Sequence, residues 1–165
     1  MFKAWPKIPR LENEIYHITE KIDGTNACII VTEEVLFAQS RTKLITPESD
    51  NYGFAKWVER NGEVLKSELP IGHHFGEWWG NGIQRNYDQP TKLFSLFNPR
   101  LRGTCCSNVP ALASCGHKEL NETIEFWVNK LKTEGSVASP GYMRPEGVVV
   151  YAEQAGTHWK VIFDK

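Results

Sequence analysis

Residues 20–26 read EKIDGTN. A lysine flanked by acids, then a glycine, stands at the entrance to strand-forming sequence. Ala27 to Val31 (ACIIV) is rich in β-formers, Thr32-Glu33-Glu34 is a polar turn, and Val35 to Gln39 (VLFAQ) is a second short strand. Ile15 to Thr19 leads in as another. The reading is a β-hairpin with Lys21 at its entry. A lysine amine is protonated near neutral pH at its ordinary pKa of ~10.4. Lys21 is therefore either a solvated surface charge or a nucleophile whose surroundings remove its proton. Carboxylates alone oppose that loss, whereas a metal cation held by them favours it. Taken alone, a KxDG string is a weak signal whose plain alternative is a surface turn.

Outward from this hairpin, Asn51 to Arg60 carries Tyr52, Phe54, Ala55 and Val58 at helical spacing, with Gly62 as the expected stop. His73 to Trp78 reads as a strand, GNGIQRNYDQP as a loop, and Lys92 to Phe97 as a buried strand. Val109 to Ala113 suits a further strand. A second helix begins at Asn121, with Thr123, Ile124, Phe126, Trp127 and Leu131 on its pattern and Gly135 as its end. After the loop SVASPGYMRP, Val148 to Tyr151 and His158 to Phe163 are strands joined by EQAG. The expectation is an α+β domain, rich in antiparallel sheet, with two main helices. The strands do not alternate with helices as a doubly wound parallel fold requires.

The 165 residues suit one domain, 1–165, with a sizeable core. Net charge is -1, which neither favours nor opposes a nucleic-acid partner, since a local basic groove can sit in a neutral total. No apolar run approaches the ~20 residues of a membrane helix, and the N-terminus has no apolar segment of the secretory type. A cytoplasmic protein without membrane association is expected. Cys105, Cys106, Cys115 and His117 lie close in sequence, but adjacent cysteines fit one tetrahedral zinc site poorly. Reduced thiols acting as small apolar side chains are the simpler reading.

Further acids and cations recur at strand ends. Ser40-Arg41-Thr42-Lys43 follows the hairpin. Glu77 stands in FGEWWG, Glu146 in PEGVVV and Lys160 in WKVI. An isolated charge amid apolar strand residues is costly unless it is paired or functional. Each alone could be a solvated strand-end charge, but the ordered set is hard to attribute to chance.

The order KIDG, SR, FGEWWG, KLFSLF, PEGVVV, WK resembles the covalent nucleotidyltransferase superfamily of ATP-dependent ligases and messenger RNA capping enzymes. TEKIDGTN followed by FGEWWGNGIQ is most similar to RNA ligases of the bacteriophage T4 RNA ligase 2 type. The resemblance runs from about Lys21 to about Lys160. It implies an ATP-grasp-like ligase adenylyltransferase domain, an RNA-repair role, ATP and Mg2+ or Mn2+ as cofactors, and RNA with 5′-phosphate and 3′-hydroxyl ends as partner. It implies that Lys21 attacks ATP to form lysyl-AMP, with Glu20 and its backbone near the adenine. Asp23 and Asn26 would orient the lysine, the ribose or metal-bound water, and Arg41 would contact the ribose or the acceptor end. Glu77 would hold the ribose and Phe97 would stack on adenine. Glu146 would hold the metal, and Lys160 would bind the α-phosphate. Two places depart from the pattern: Val161 and Ile162 follow Lys160 where a second cation is usual, and Asn98 follows Phe97 where an acid is usual. No separate OB-type or C-terminal RNA-binding domain is expected. A DNA ligase, a capping-type guanylyltransferase and a non-catalytic binder of nucleic-acid ends are the competing readings.

Overall fold

The computed structural model describes residues 1–163. Ten strands form two sheets. In the four-stranded sheet the order is β10 (Thr157–Ile162), β9 (Gly147–Ala152), β1 (Tyr16–Lys21), β8 (Ala111–Cys115). In the six-stranded sheet it is β4 (Leu44–Ile45), β3 (Leu36–Ser40), β2 (Thr25–Val31), β5 (Gly72–Gly80), β6 (Lys92–Leu96), β7 (Ser107–Asn108). All pairings are antiparallel except β6 with β7. The α+β, antiparallel-rich architecture is therefore as expected. The β2–β3 hairpin, with Ala27 opposite Ser40 and Val31 opposite Leu36, is the one read from the sequence.

Each sheet buries one face. In β2, alternate residues Ala27, Ile29 and Val31 join Trp78, Phe94 and Leu96 under Phe54, Ala55, Val58 and Leu65 of two short helices. Alternation places every second side chain on the same face. The four-stranded sheet packs Ile18, Val148 and Val150 against Leu131 of α3 (Leu120–Glu134). Burying such side chains contributes roughly 1.5–3 kcal/mol each. The helical count differs from the expectation of two. Gly62 does not end the first helix for good: α1 (Phe54–Arg60) stops at Asn61, and α2 (Gly62–Glu68) begins at that glycine. Leu65 of α2 lies fully buried in the same core, so packing overrides the low helix propensity of glycine. α1 is anchored by Asp50, whose carboxylate accepts from the Ala55 and Lys56 amides at 2.8 and 3.1 Å.

The two sheets are joined where β1 ends and β2 begins. Ile22, Asp23 and Gly24 carry the chain from one sheet to the other. Ile22 packs with Trp79, Tyr87, Val109 and Tyr142 in a small third core at this junction. Gly24 has no room for a side chain: a Cβ there would lie 2.4 Å from the Trp78 carbonyl oxygen and 2.7 Å from the Trp79 Cβ. The glycine of KIDG thus fits against the tryptophans of FGEWWG. Gly24→Ala should destabilise the fold by about 1–3 kcal/mol through overpacking, read as a lower midpoint in urea unfolding.

Candidate active site

The open faces of the two sheets carry the site, and the crossover positions it. Lys21 is the last residue of β1, and its Nζ donates to Glu146 Oε2 at 2.7 Å. Both side chains are partly exposed, at 24% and 13%, so the pair stands in a cleft that solvent reaches. Glu146 immediately precedes β9, and Gly147 is registered directly opposite Lys21.

Glu77 sits in the middle of β5, opposite Asn26 of β2 and Ser95 of β6. Its Oε1 accepts from the Gly24 amide at 3.2 Å. Burial is the main influence on this carboxyl and raises it to about 7. Lys21, the Gly24 N–H and Arg41 pull the other way, while Glu146 adds to the rise. Lys21, Glu146 and Arg41 are therefore each within electrostatic reach of Glu77, although they lie far apart in the chain. Arg41 occupies the tip of the β3–β4 turn, which the Ser40 amide closes by donating to the Lys43 carbonyl at 2.8 Å.

Two residues that the sequence reading left inside a loop hold this arrangement together. Arg85 Nε pairs with Asp23 Oδ2 at 3.0 Å. Its Nη1 donates to the carbonyls of Arg144 and Pro145 at 3.1 and 3.3 Å, beside Glu146. The Tyr87 hydroxyl accepts from the Asp23 amide at 3.0 Å and the Glu146 amide at 3.3 Å, and lies 3.5 Å from the Lys21 carbonyl, to which it donates. Burial raises the Tyr87 phenol and keeps it protonated. One signal in the sequence pointed here: a lone tyrosine amid polar loop residues, GNGIQRNYDQP, needs somewhere to bury its ring.

Glu20, expected with its backbone near the adenine, sends its side chain to the other face of the sheet. Its side chain is 1% exposed and points to the α3 side of the sheet, away from Lys21. One oxygen accepts from Ser136 Oγ at 2.6 Å, the other from the Val137 and Ala138 amides at 2.9 and 2.8 Å. This carboxylate fastens the loop after α3, and only the residue's main chain is free to meet a nucleotide. Phe97 lies just beyond β6, opposite Phe75, and is 40% exposed. It is not a core side chain.

Lys160 is exposed in β10, opposite Val149, which is itself opposite Thr19. It shares the open face with Lys21 from two strands away, a lateral span of about 10 Å. It makes no hydrogen bond or ion pair to another described residue.

For a divalent cation, the available ligands are oxygens. Glu146 and Asp23 each have one carboxylate oxygen engaged by a cationic side chain, leaving the other. Among the described residues no group of three or more His, Cys, Asp or Glu could hold a metal alone. Magnesium and manganese keep waters and use substrate phosphates alongside one or two carboxylates, which Glu146 and Asp23 are placed to supply. The four cysteines are free thiols. Cys105 and Cys106 pack against the larger core, and burial pushes the Cys106 thiol up to about 12.

The RNA ligase family model matches residues 14–163. The chain belongs to the RNA ligase family. Its fold is that of solved Naegleria gruberi RNA ligase structures. An arginine-to-alanine variant bound to ATP and manganese aligns with a TM-score of 0.71 at 19% identity, covering 93% of this chain and 51% of that one. A lysine-to-methionine variant with AMP and manganese aligns at 0.68 and 19%, covering 92% and 50%. This RNA ligase domain thus spans about half the length of those proteins. No helix among its described residues is long and apolar enough to cross a membrane.

Two measurements check the geometry. Tyr87→Phe leaves the Asp23 and Glu146 amides without their acceptor, so stability should fall by about 1–3 kcal/mol, seen in urea unfolding. Glu77 is raised from an ordinary 4.5 to about 7, so its contribution to stability is full below pH 4.5 and is lost as pH rises through 7. Glu77→Gln keeps the acceptor for Gly24 and removes the charge. Its stability relative to the parent should therefore improve between pH 5 and pH 8.

Proposed function

We propose that this domain is the adenylyltransferase of an ATP-dependent RNA ligase of the bacteriophage T4 RNA ligase 2 type, acting in RNA repair. One observation carries the reading: Lys21, in the KIDG motif of an RNA ligase family member, meets Glu146 at 2.7 Å beside the cleft carboxyl Glu77. The Naegleria proteins solved with ATP or AMP and manganese support the nucleotide and cation classes. TEKIDGTN and FGEWWGNGIQ support the narrower type.

Attack requires the Lys21 amine without its extra proton, and Glu146 Oε2 is the nearest acceptor. The amine forms a bond to the α-phosphorus, the bond from that phosphorus to the bridging oxygen breaks, and pyrophosphate leaves. Lys160 meets charge that develops on the α-phosphate. Glu77 receives ribose hydroxyls, Asn26 and Arg41 orient the sugar, and Phe97 offers a stacking face to adenine. Asp23, held by Arg85, keeps the crossover in register with the Glu146 loop. Glu146 and Asp23 would hold a divalent cation, which would neutralise charge on the phosphates. In the second step an oxygen of an RNA 5′-phosphate displaces Lys21 and takes the AMP. In the third, a 3′-hydroxyl attacks that 5′-phosphorus and AMP departs, leaving a 3′–5′ phosphodiester.

Incubation with α-labelled ATP and magnesium should label the protein with an adduct stable to alkali and released by acid. Lys21→Ala and metal chelation should abolish it, and Lys160→Ala should slow it by about 10²–10³-fold. A label that survives Lys21→Ala overturns the assignment. Sealing of nicked DNA but not of RNA ends by an adduct-forming protein overturns the substrate.

A further inference from the structure

The open face of the four-stranded sheet continues beyond the site. Residues opposite one another in antiparallel register share a face. Lys21 lies in a row with Gly147 and Ile162, and Thr19, Val149 and Lys160 form the next row. One row further, Ser114, His17, Tyr151 and His158 cross all four strands. Rows are about 7 Å apart, so this last one lies about 14 Å along the sheet from Lys21.

That row is a stack of rings. Tyr151 and His158 lie face to face, with centroids 4.5 Å apart and an interplanar angle of 28°. His17 extends the series at 6.2 Å and 24° from Tyr151. His17 is fixed from both sides, with Nδ1 2.8 Å from Ser114 Oγ and Nε2 3.0 Å from Glu153 Oε2. The turn between β9 and β10 is held by Glu14, which accepts from the Gln154 and Ala155 amides at 2.7 and 3.0 Å. α3 packs on the opposite face of the sheet. Here His158 and Lys160 are exposed, and His17 and Tyr151 are partly so. The outer face of the His158 ring is the free end of the stack, on edge strand β10.

We infer that this row is a stacking platform for a single-stranded segment of RNA leading to or from the nucleotide site. The inference deepens the proposed function and rests on it for the identity of the strand. Bases stack on aromatic and histidine rings without regard to sequence, and a neighbouring cation meets the backbone phosphate. The platform supplies both, with pre-ordered rings beside unpartnered Lys160. Continuity with the face of Lys21 selects RNA over a protein partner. A strand whose end lies at the phosphorus must leave the cleft, and this face is a continuous exit.

Binding of a fluorescent single-stranded oligoribonucleotide to the whole chain, read by anisotropy, tests the platform. Tyr151→Ala and His158→Ala should each weaken binding about tenfold, while labelling of Lys21 by ATP is unchanged. Tyr151→Phe and His158→Phe should retain binding, because a ring suffices. RNA carrying 5-iodouridine should crosslink to Tyr151 or His158. Equal affinity of the alanine variants and the parent overturns the inference, as does a parent that binds no RNA. Ring-dependent binding without Lys21 labelling sustains the platform and fails the ligase reading instead.

Discussion

The Tyr87 hydroxyl accepts hydrogen bonds from the amides of Asp23 and Glu146 and donates to the carbonyl of Lys21. Those residues belong to the sheet crossover and to the approach to β9, which are distant in sequence. One phenol oxygen therefore reinforces the β1–β9 register that sets the amine opposite its carboxylate. Arg85 repeats the tie with charge, spanning Asp23 and the carbonyls ahead of Glu146. Without these two side chains the Lys21–Glu146 contact would rest on the β1–β9 pairing and two flexible side chains, and a partly exposed ion pair is a weak organiser.

The electrostatics follow from that frame. Lys21 and Glu146 face each other in partial contact with water, whereas Glu77 is pressed into β5 with a single backbone donor. Of the two carboxyls, the desolvated one is raised and the other is held in an ion pair. A cleft that keeps one carboxyl near neutrality limits the negative charge it presents to a polyphosphate. The phosphoryl transfer proposed above depends on positioning and charge compensation more than on covalent chemistry, and β1, β5 and the approach to β9 hold the Lys21, Glu77 and Glu146 side chains in place for it.

Much of this was legible in the sequence. The β-former content of ACIIV, VLFAQ and VVVY located the central strands, and the ordered motifs singled out Lys21, Glu77, Glu146 and Lys160. α2 was hidden because Gly62 reads as a stop, and only the buried Leu65 shows why a helix resumes there. For the side chain of Glu20, spacing within one strand does not reveal which face is covered. Its neighbour Lys21 faces the cleft, and alternation sends Glu20 to Ser136 instead. The role of Tyr87 was hidden because its hydroxyl meets backbone groups, which carry no residue identity to recognise, and that of Arg85 because its carboxylate partner, Asp23, is remote in sequence.

The loop that delivers Arg85 and Tyr87 is unusual in its main chain. Gln84, Asn86, Tyr87 and Asp88 all have positive φ, between 47° and 55°. Side-chain-bearing residues adopt such dihedrals at a cost of roughly 1–2 kcal/mol each. The segment behaves as a loaded spring with Tyr87 as its latch. Were the ring to leave its pocket, nothing local would keep its neighbours left-handed. The alignment of Lys21 with Glu146 and the integrity of the sheet junction would then slacken in one event.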